Sequence, residues 1–406
     1  MTAQLLSLLQ PLVGAMLGVT IAAADIPGET APAGPPAGPE AAVAARLEQG
    51  FFVVPVRFDT TGPERLFLFD TGMNLTAIDS ALAARLGLEA VAPPGTATDA
   101  AGRAGRLVMV RIPSVALRGL TARDVQAAAV DLTSLRANSG LALDGILGAN
   151  VLRAFPYTID YQEGVVRFGV PDLLAGNAIV LPLLENPSPF LPPLVRLKVQ
   201  DAELWGAIDT GALGGLYVPR RVLEELRLDR SQRVESRGAV SGGLFGPGLA
   251  SLAARPRTVV LGSLRLGDLP VESTESEFAL IGAEFLRHFR VTVDYPRMRV
   301  VFEPVDVPWQ HDLESFGLGL AREGGERTVV TGVWADSPAD RAGLRPGQQV
   351  LRVDGQPADS LALPALRSRL LDPAVRVITL TVRRDSEAGT VTLEKTPRFA
   401  ARPGKR

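Results

Sequence analysis

The sequence predicts a mainly β molecule made of two similar lobes in tandem, followed by a small α+β domain. Three observations carry that prediction. A long internal repeat spans the middle of the chain, its strand-like segments are short and punctuated by turn residues, and the composition changes near His311. The chain has 406 residues, room for two or three domains at roughly 150 residues each.

Leu5 to Ala24 is apolar and closes on Ala22-Ala23-Ala24, which fits the small-residue rule of a signal-peptidase site. Residues 1–24 therefore read as a cleaved export signal, and the protein as periplasmic or secreted. No Lys or Arg precedes the apolar run, and an uncleaved N-terminal membrane anchor is the competing reading, which Pro11 and the Ala-rich end weaken. Residues 25–46 are rich in Pro, Gly and Ala and read as a linker.

The repeat comes next. Its first copy runs through Leu66–Leu88 and resumes at Asp144–Phe168; its second runs through Leu204–Leu228 and resumes at Ala279–Phe302. Each copy has the same order: an apolar strand, Asp-Thr-Gly, a short helix, a β-rich stretch, two apolar residues and Gly, a second short helix, and a strand pair around Asp-Tyr. Two large units of this kind mean a duplicated lobe, not a solenoid. The lobes are expected at 47–175 and 176–305. Alternating or apolar runs predict strands at Phe51–Phe58, Arg106–Ile112, Val165–Phe168, Leu194–Val199, Val259–Leu261 and Arg299–Phe302. Helices are expected at Asp79–Leu86 and Arg220–Leu226.

Composition excludes much chemistry. There is no cysteine, all but three of the 42 basic residues are Arg, and His288 and His311 are the two histidines. Thiolate catalysis, disulfides and Cys-ligated metals are ruled out, and no metal or cofactor is called for. A net charge of -2 gives no field that would draw nucleic acid. Asn138-Ser139-Gly140 contains a serine, but both histidines lie downstream, so the His-Asp-Ser order is absent, and there is no His-Glu-x-x-His. Carboxylates and hydroxyls remain. One Asp-Thr-Gly is weak evidence, since Asp and Gly commonly end a strand in a turn. Two copies at the same place in a repeat are far more specific.

The physical reading is a carboxylate dyad of Asp70 and Asp209, each at a strand tip and brought together by pseudo-twofold symmetry. Two carboxylates in contact do not both ionise cheaply, so the pair shares one proton. One member is then a base toward a water held between them, and the other an acid toward a peptide carbonyl. Thr71 and Thr210 are placed to hydrogen-bond across the lobe interface. Gly72 and Gly211 permit the close backbone approach.

With these motifs, residues 47–305 resemble the pepsin and retropepsin type of aspartic protease, the bacterial aspartyl-protease-like group in particular. Each Asp-Thr-Gly has its downstream partner, Ile146-Leu147-Gly148 and Leu280-Ile281-Gly282. The resemblance implies a closed-barrel lobe per repeat, a supporting segment behind each catalytic loop, a cleft between lobes, and a hairpin flap. The flap candidates are Gly95–Val110 and Ala239–Leu249, both Gly-rich. Met73 stands where the family usually has a small residue, and neither flap candidate has the Tyr of pepsin flaps.

Beyond residue 311 the series Ser337-Pro338-Ala339, Ala342-Gly343-Leu344 and Gly347 resembles a PDZ domain, over residues 312–395, leaving 396–406 as a tail. A strand at Arg327–Trp334, a helix near Leu361–Leu371 and a strand at Val375–Arg383 are expected. The resemblance implies capture of an extended peptide at a sheet edge. Gly317, Leu318, Gly319 and Leu320 would form the loop that holds the terminal carboxylate. Leu318, Leu320, Leu366 and Leu370 would line an apolar pocket, with ordinary core as the other reading of these leucines.

The expected whole is an exported, monomeric aspartic endopeptidase with an internal pseudo-dimer, acting on a polypeptide substrate that the PDZ domain recruits or gates. A non-catalytic peptide-binding scaffold on the same fold is the alternative.

Overall fold

A computed structural model describes residues 43–399 apart from 59–61, 118–119, 170–174, 186–189, 310–313, 325–326 and 385–386. The export segment, the linker up to residue 42, His311 and the last residues of the tail lie outside the described residues. Strand accounts for 49% and helix for 15%, so the mainly β class holds. No helix among the described residues is long and apolar enough to cross a membrane.

The duplication is visible in the strand pairing. In the first half Arg65–Phe69 runs parallel to Gly145–Leu147, which pairs antiparallel with Ala77–Asp79, which runs parallel to Leu120–Val130. In the second half Ala202–Ile208 runs parallel to Ala279–Ile281, which pairs antiparallel with Leu216–Pro219, which runs parallel to Val271–Thr274. The strand carrying each Asp-Thr-Gly is thus braced by the apolar strand of its own downstream segment, on residues that are nearly all buried. Leu68 sits opposite Ile146, and Ile208 opposite Ile281.

The two halves share a sheet. Tyr157–Asp160 of the first pairs antiparallel with Phe289–Asp294 of the second. Thr158 and Thr292 hold equivalent positions in the repeat, face each other in register, and join hydroxyls at 2.9 Å. A local twofold axis passes between them, because only an isologous contact puts equivalent residues opposite one another. Arg299–Pro304 and Ile179–Pro182 extend this sheet on one side; Val165–Phe168 and Val43–Glu48 extend it on the other. The last strand begins before the expected lobe boundary at 47. Ala45 is buried there, and Leu47 packs against the core, so the alternating apolar pattern recruits the end of the linker.

Strands at Val165–Phe168 and Leu194–Val199 fall where expected, as do helices at Ser80–Arg85, with Asp79 as side-chain N-cap, and Arg220–Glu225. The strand expected at Arg106–Ile112 is longer, Ala104–Leu117, because it forms one ladder with Leu120–Val130.

The C-terminal unit has its own apolar core, including Phe316, Val330, Leu344, Ile378 and Leu393. Leu318–Glu323 pairs with Arg327–Trp334, and Val350–Val353, Val377–Arg384 and Glu387–Glu394 form a second sheet. The unit is joined to the second half by a ladder, in which Ser236–Gly238 pairs with Trp334, Val333 and Gly332. Part of the expected tail is also structured. Thr396–Pro397 pairs with Glu314–Ser315, and Phe399 is buried with Ala253 and Trp334.

Candidate active site

Each Asp-Thr-Gly follows the end of a braced strand, so its position is set by the core. The loops are clamped reciprocally. The Thr71 hydroxyl donates to the Ile208 carbonyl at 2.6 Å and accepts from the Thr210 amide at 3.1 Å. Thr210 does the same in reverse, to the Phe69 carbonyl at 2.6 Å and from the Thr71 amide at 3.1 Å. Both threonines are fully buried, so every one of these bonds is costly to lose.

The clamp sets the carboxyl groups face to face. Gly72 lies so close to Asp209 that a Cβ there would sit 2.2 Å from its Cγ. Gly211 stands to Asp70 in the same way, at 2.3 Å from Oδ2. Neither glycine has a positive φ; the need is for space alone. Asp70 Oδ1 accepts from the Gly72 and Met73 amides, each at 3.0 Å. Asp209 Oδ1 accepts from the Gly211 amide at 2.9 Å and the Ala212 amide at 3.0 Å. One oxygen of each carboxyl is thereby anchored.

Burial dominates the electrostatics. It raises the Asp70 carboxyl well above its ordinary value, and the Asp209 carboxylate beside it raises it further. Burial also pushes Asp209 up to about 6, against the pull of its two backbone amides. Two carboxyls of this kind hold one proton between them over an extended pH range.

Support from behind differs between the halves. In the first, the Asn150 side chain accepts from the Thr76 amide and hydroxyl at 2.8 and 2.9 Å, and the Thr76 hydroxyl accepts from the Gly148 amide at 3.2 Å. In the second, the Gly282 and Ala283 amides donate to the Gly215 and Ala212 carbonyls at 2.8 Å, and the Tyr217 hydroxyl accepts from the Gly214 amide at 3.2 Å. Asn150 and Tyr161 were missed by sequence reasoning. Tyr161 has a buried hydroxyl with no partner among the described residues, and burial with the fields of Asp209 and Asp70 keeps its proton on. The repeated Asp-Tyr pair was the available signal.

Both expected hairpins form, and they touch. Gly95–Thr98 pairs with Ala104–Leu107, with its turn at 99–103. Gly242–Gly243 pairs with Gly246–Pro247. Asp99 joins them: its Oδ1 accepts from the Ala101 and Arg103 amides of its own turn, and its Oδ2 from the Phe245 amide of the other hairpin at 3.0 Å. The Phe245 ring lies on Gly105, where a Cβ would meet it at 2.2 Å. Phe245, Leu107 and Met73 belong to one apolar cluster, so Met73 packs toward the hairpins.

The remaining sequence candidates are accounted for. Ser139 is a buried helix residue whose hydroxyl donates to the Leu135 carbonyl. His288 stacks on Trp309 with centroids 3.7 Å apart. No group of His, Asp and Glu among the described residues is arranged to hold a metal. In the C-terminal unit Gly317 has φ +81 and packs on Ser337. Leu320 and Leu366 are buried in the core of the C-terminal unit, the second of the two readings open to them. Leu318 and Leu370 are half-buried and retain accessible surface.

The geometry defines a two-lobed, carboxylate-centred site with a peptide-module-like unit attached. Comparison with known families agrees. Residues 54–151 match the family model described as aspartyl protease, and residues 329–384 match that of the PDZ domain. These matches support a protease-type function and a peptide as partner. The second Asp-Thr-Gly lies outside the matched residues, and its equivalence rests on the symmetric geometry. No curated protein matches the chain.

Proposed function

We propose that this protein is an aspartic endopeptidase in which Asp70 and Asp209 act as one unit. The observation that carries the reading is the reciprocal Thr71–Thr210 clamp, which holds the two carboxyls against each other's glycine. A pair sharing one proton contains a base and an acid at once. The charged member takes a proton from a water between the carboxyls, the oxygen adds to the peptide carbonyl, and the neutral member donates to the carbonyl oxygen. The member that took the water proton then gives it to the amine nitrogen, the other takes a proton back from the tetrahedral adduct, and collapse of the adduct breaks the C–N bond and restores the pair. The hairpins joined through Asp99 would part for an extended polypeptide to enter. One chain supplies both halves, so a monomer suffices. Export through residues 1–24 belongs to the same proposal.

The test compares wild type, Asp70→Asn and Asp209→Asn on a denatured, fluorescently labelled polypeptide, with and without pepstatin. Each variant is expected to lose at least 10³-fold in kcat/KM, a typical scale for removing an acid–base partner. Full activity in either variant would overturn the dyad. Wild-type cleavage is expected to fall as pH drops below about 6, where the second proton on the pair removes the base.

A further inference from the structure

We propose that the peptide groove of the C-terminal unit is latched shut by the protease half of the same chain, and that an extended peptide entering the groove opens the latch and frees the hairpin Gly242–Pro247. The consequence for catalysis rests on the peptidase reading above; the latch itself does not.

Among the described residues Leu318–Glu323 is the last strand of its sheet, paired on one side with Arg327–Trp334 and carrying no strand on the other. The helix Leu363–Leu371 borders that open side. A peptide added there needs the outward backbone groups of the strand. One of them is taken: Arg367 of the helix reaches across and donates from Nη2 to the Leu320 carbonyl at 3.0 Å. The same guanidinium donates to the Asn138 carbonyl at 3.0 Å from Nη1, and to its Oδ1 at 3.2 Å from Nη2. Asn138 lies on the helix Thr133–Ser139 of the first lobe, which packs against both walls of the groove. Gly140, in the left-handed conformation at φ +71, ends that helix against Pro364. Burial alone lowers the Arg367 pKa from its ordinary value.

The second lobe closes the remaining side. A small cavity at the junction is lined by Asn138, Gly242, Pro247, Leu320 and Arg367 among others, so strand, groove helix, first lobe and hairpin meet at one point. On its other side the hairpin carries Phe245, which is bonded to Asp99 of the opposite hairpin. A backbone seated along Leu318–Glu323 competes with Arg367 for the Leu320 carbonyl and with the Thr133–Ser139 helix for space. Displacing them removes the support under Gly242–Pro247 and weakens the Asp99–Phe245 link. Groove and cleft are thus joined by one run of packed elements, through which opening of one would reach the other.

The chain has no cysteine, which makes the latch directly testable. A Cβ at Gly140 lies 3.8 Å from the Pro364 Cβ, within the range of a disulfide. Full-length Gly140→Cys/Pro364→Cys, oxidised and reduced, is compared with wild type and Arg367→Ala. The probe is a fluorescein-labelled ten-residue peptide ending in Val-Val-Leu with a free carboxylate. Amide hydrogen exchange is followed in residues 239–249 and 318–323. Arg367→Ala is expected to bind the probe about tenfold more tightly than wild type, and to exchange faster in both segments without any peptide. The oxidised pair is expected to bind it about tenfold more weakly than the reduced pair. Unchanged exchange at 239–249 in Arg367→Ala, or equal binding by the oxidised and reduced pair, overturns the proposal. Asn138→Ala carries the same exchange test should Arg367→Ala fail to fold. Cleavage that persists undiminished in Asp70→Asn while exchange responds as expected would sink the two-aspartate reading and leave the latch standing.

Discussion

Thr71 and Thr210 fix where the two carboxyls meet, and the core does not let them part. That makes the site costly when charged. In an unfolded chain both aspartates titrate near 3.8; in the fold burial lifts Asp209 to about 6 and Asp70 well above its ordinary value. At pH below 4 both states hold the protons. As pH rises, the unfolded chain releases them while the fold resists, so stability is lost as pH climbs toward and through 6. Asp209→Asn keeps an oxygen for the Gly211 and Ala212 amides and removes the charge. Its Tm is expected to match wild type at pH 4 and to exceed it by roughly 5 °C at pH 7. A difference that does not change with pH would show that the pair is not strained by its charge. The meeting of the two Asp-Thr-Gly loops was legible in the sequence because strand, Asp-Thr-Gly and apolar-apolar-Gly recur in order, and each part has a local physical meaning. Asn150 was not legible. A polar residue on a short helix carries no pattern that says it will reach back to Thr76, 74 positions earlier.

At the scale of elements, the hairpins show the same divide. Their glycines announced turns, and turns formed. What glycine content does not announce is the partner, since the link from Asp99 to Phe245 spans 146 positions. Asp99 organises its own turn through one oxygen and the opposite hairpin through the other. Asp99→Ala therefore leaves the Phe245 amide without its acceptor and loosens both tips. Amide exchange in 99–105 and 243–249 is expected to rise about tenfold or more, equivalent to about 1.4 kcal/mol for a single charge-assisted bond. Exchange that rises in 99–105 alone would mean that the hairpins are held by apolar packing and not by this bond.

At the scale of the whole molecule, a tethered bead would be the simplest expectation for a C-terminal module read from sequence. The structure replaces the tether with a continuous sheet. Ser236–Gly238 pairs with Trp334–Gly332, Arg237 pairs with Asp340, and Arg398 with Glu272. Burial of Phe399 against Ala253 and Trp334 seals the far end. The joint depends on close backbone approach: a Cβ at Gly332 would meet the Ala239 carbonyl carbon at 2.4 Å, and one at Gly319 would meet the Val240 Cα at 2.6 Å. These neighbours are backbone atoms and do not swing aside as a long side chain does. Wild type is therefore expected to melt in one transition that includes both lobes and the C-terminal unit. Gly332→Ala is expected to split it, because the core of the C-terminal unit is separate and survives the loss of the joint, while strand 233–238 loses a partner and becomes an exposed edge. Calorimetry on the two proteins decides the matter. Two transitions already present in wild type, unchanged in Gly332→Ala, would restore the bead, and with it a groove that opens without any signal reaching the dyad.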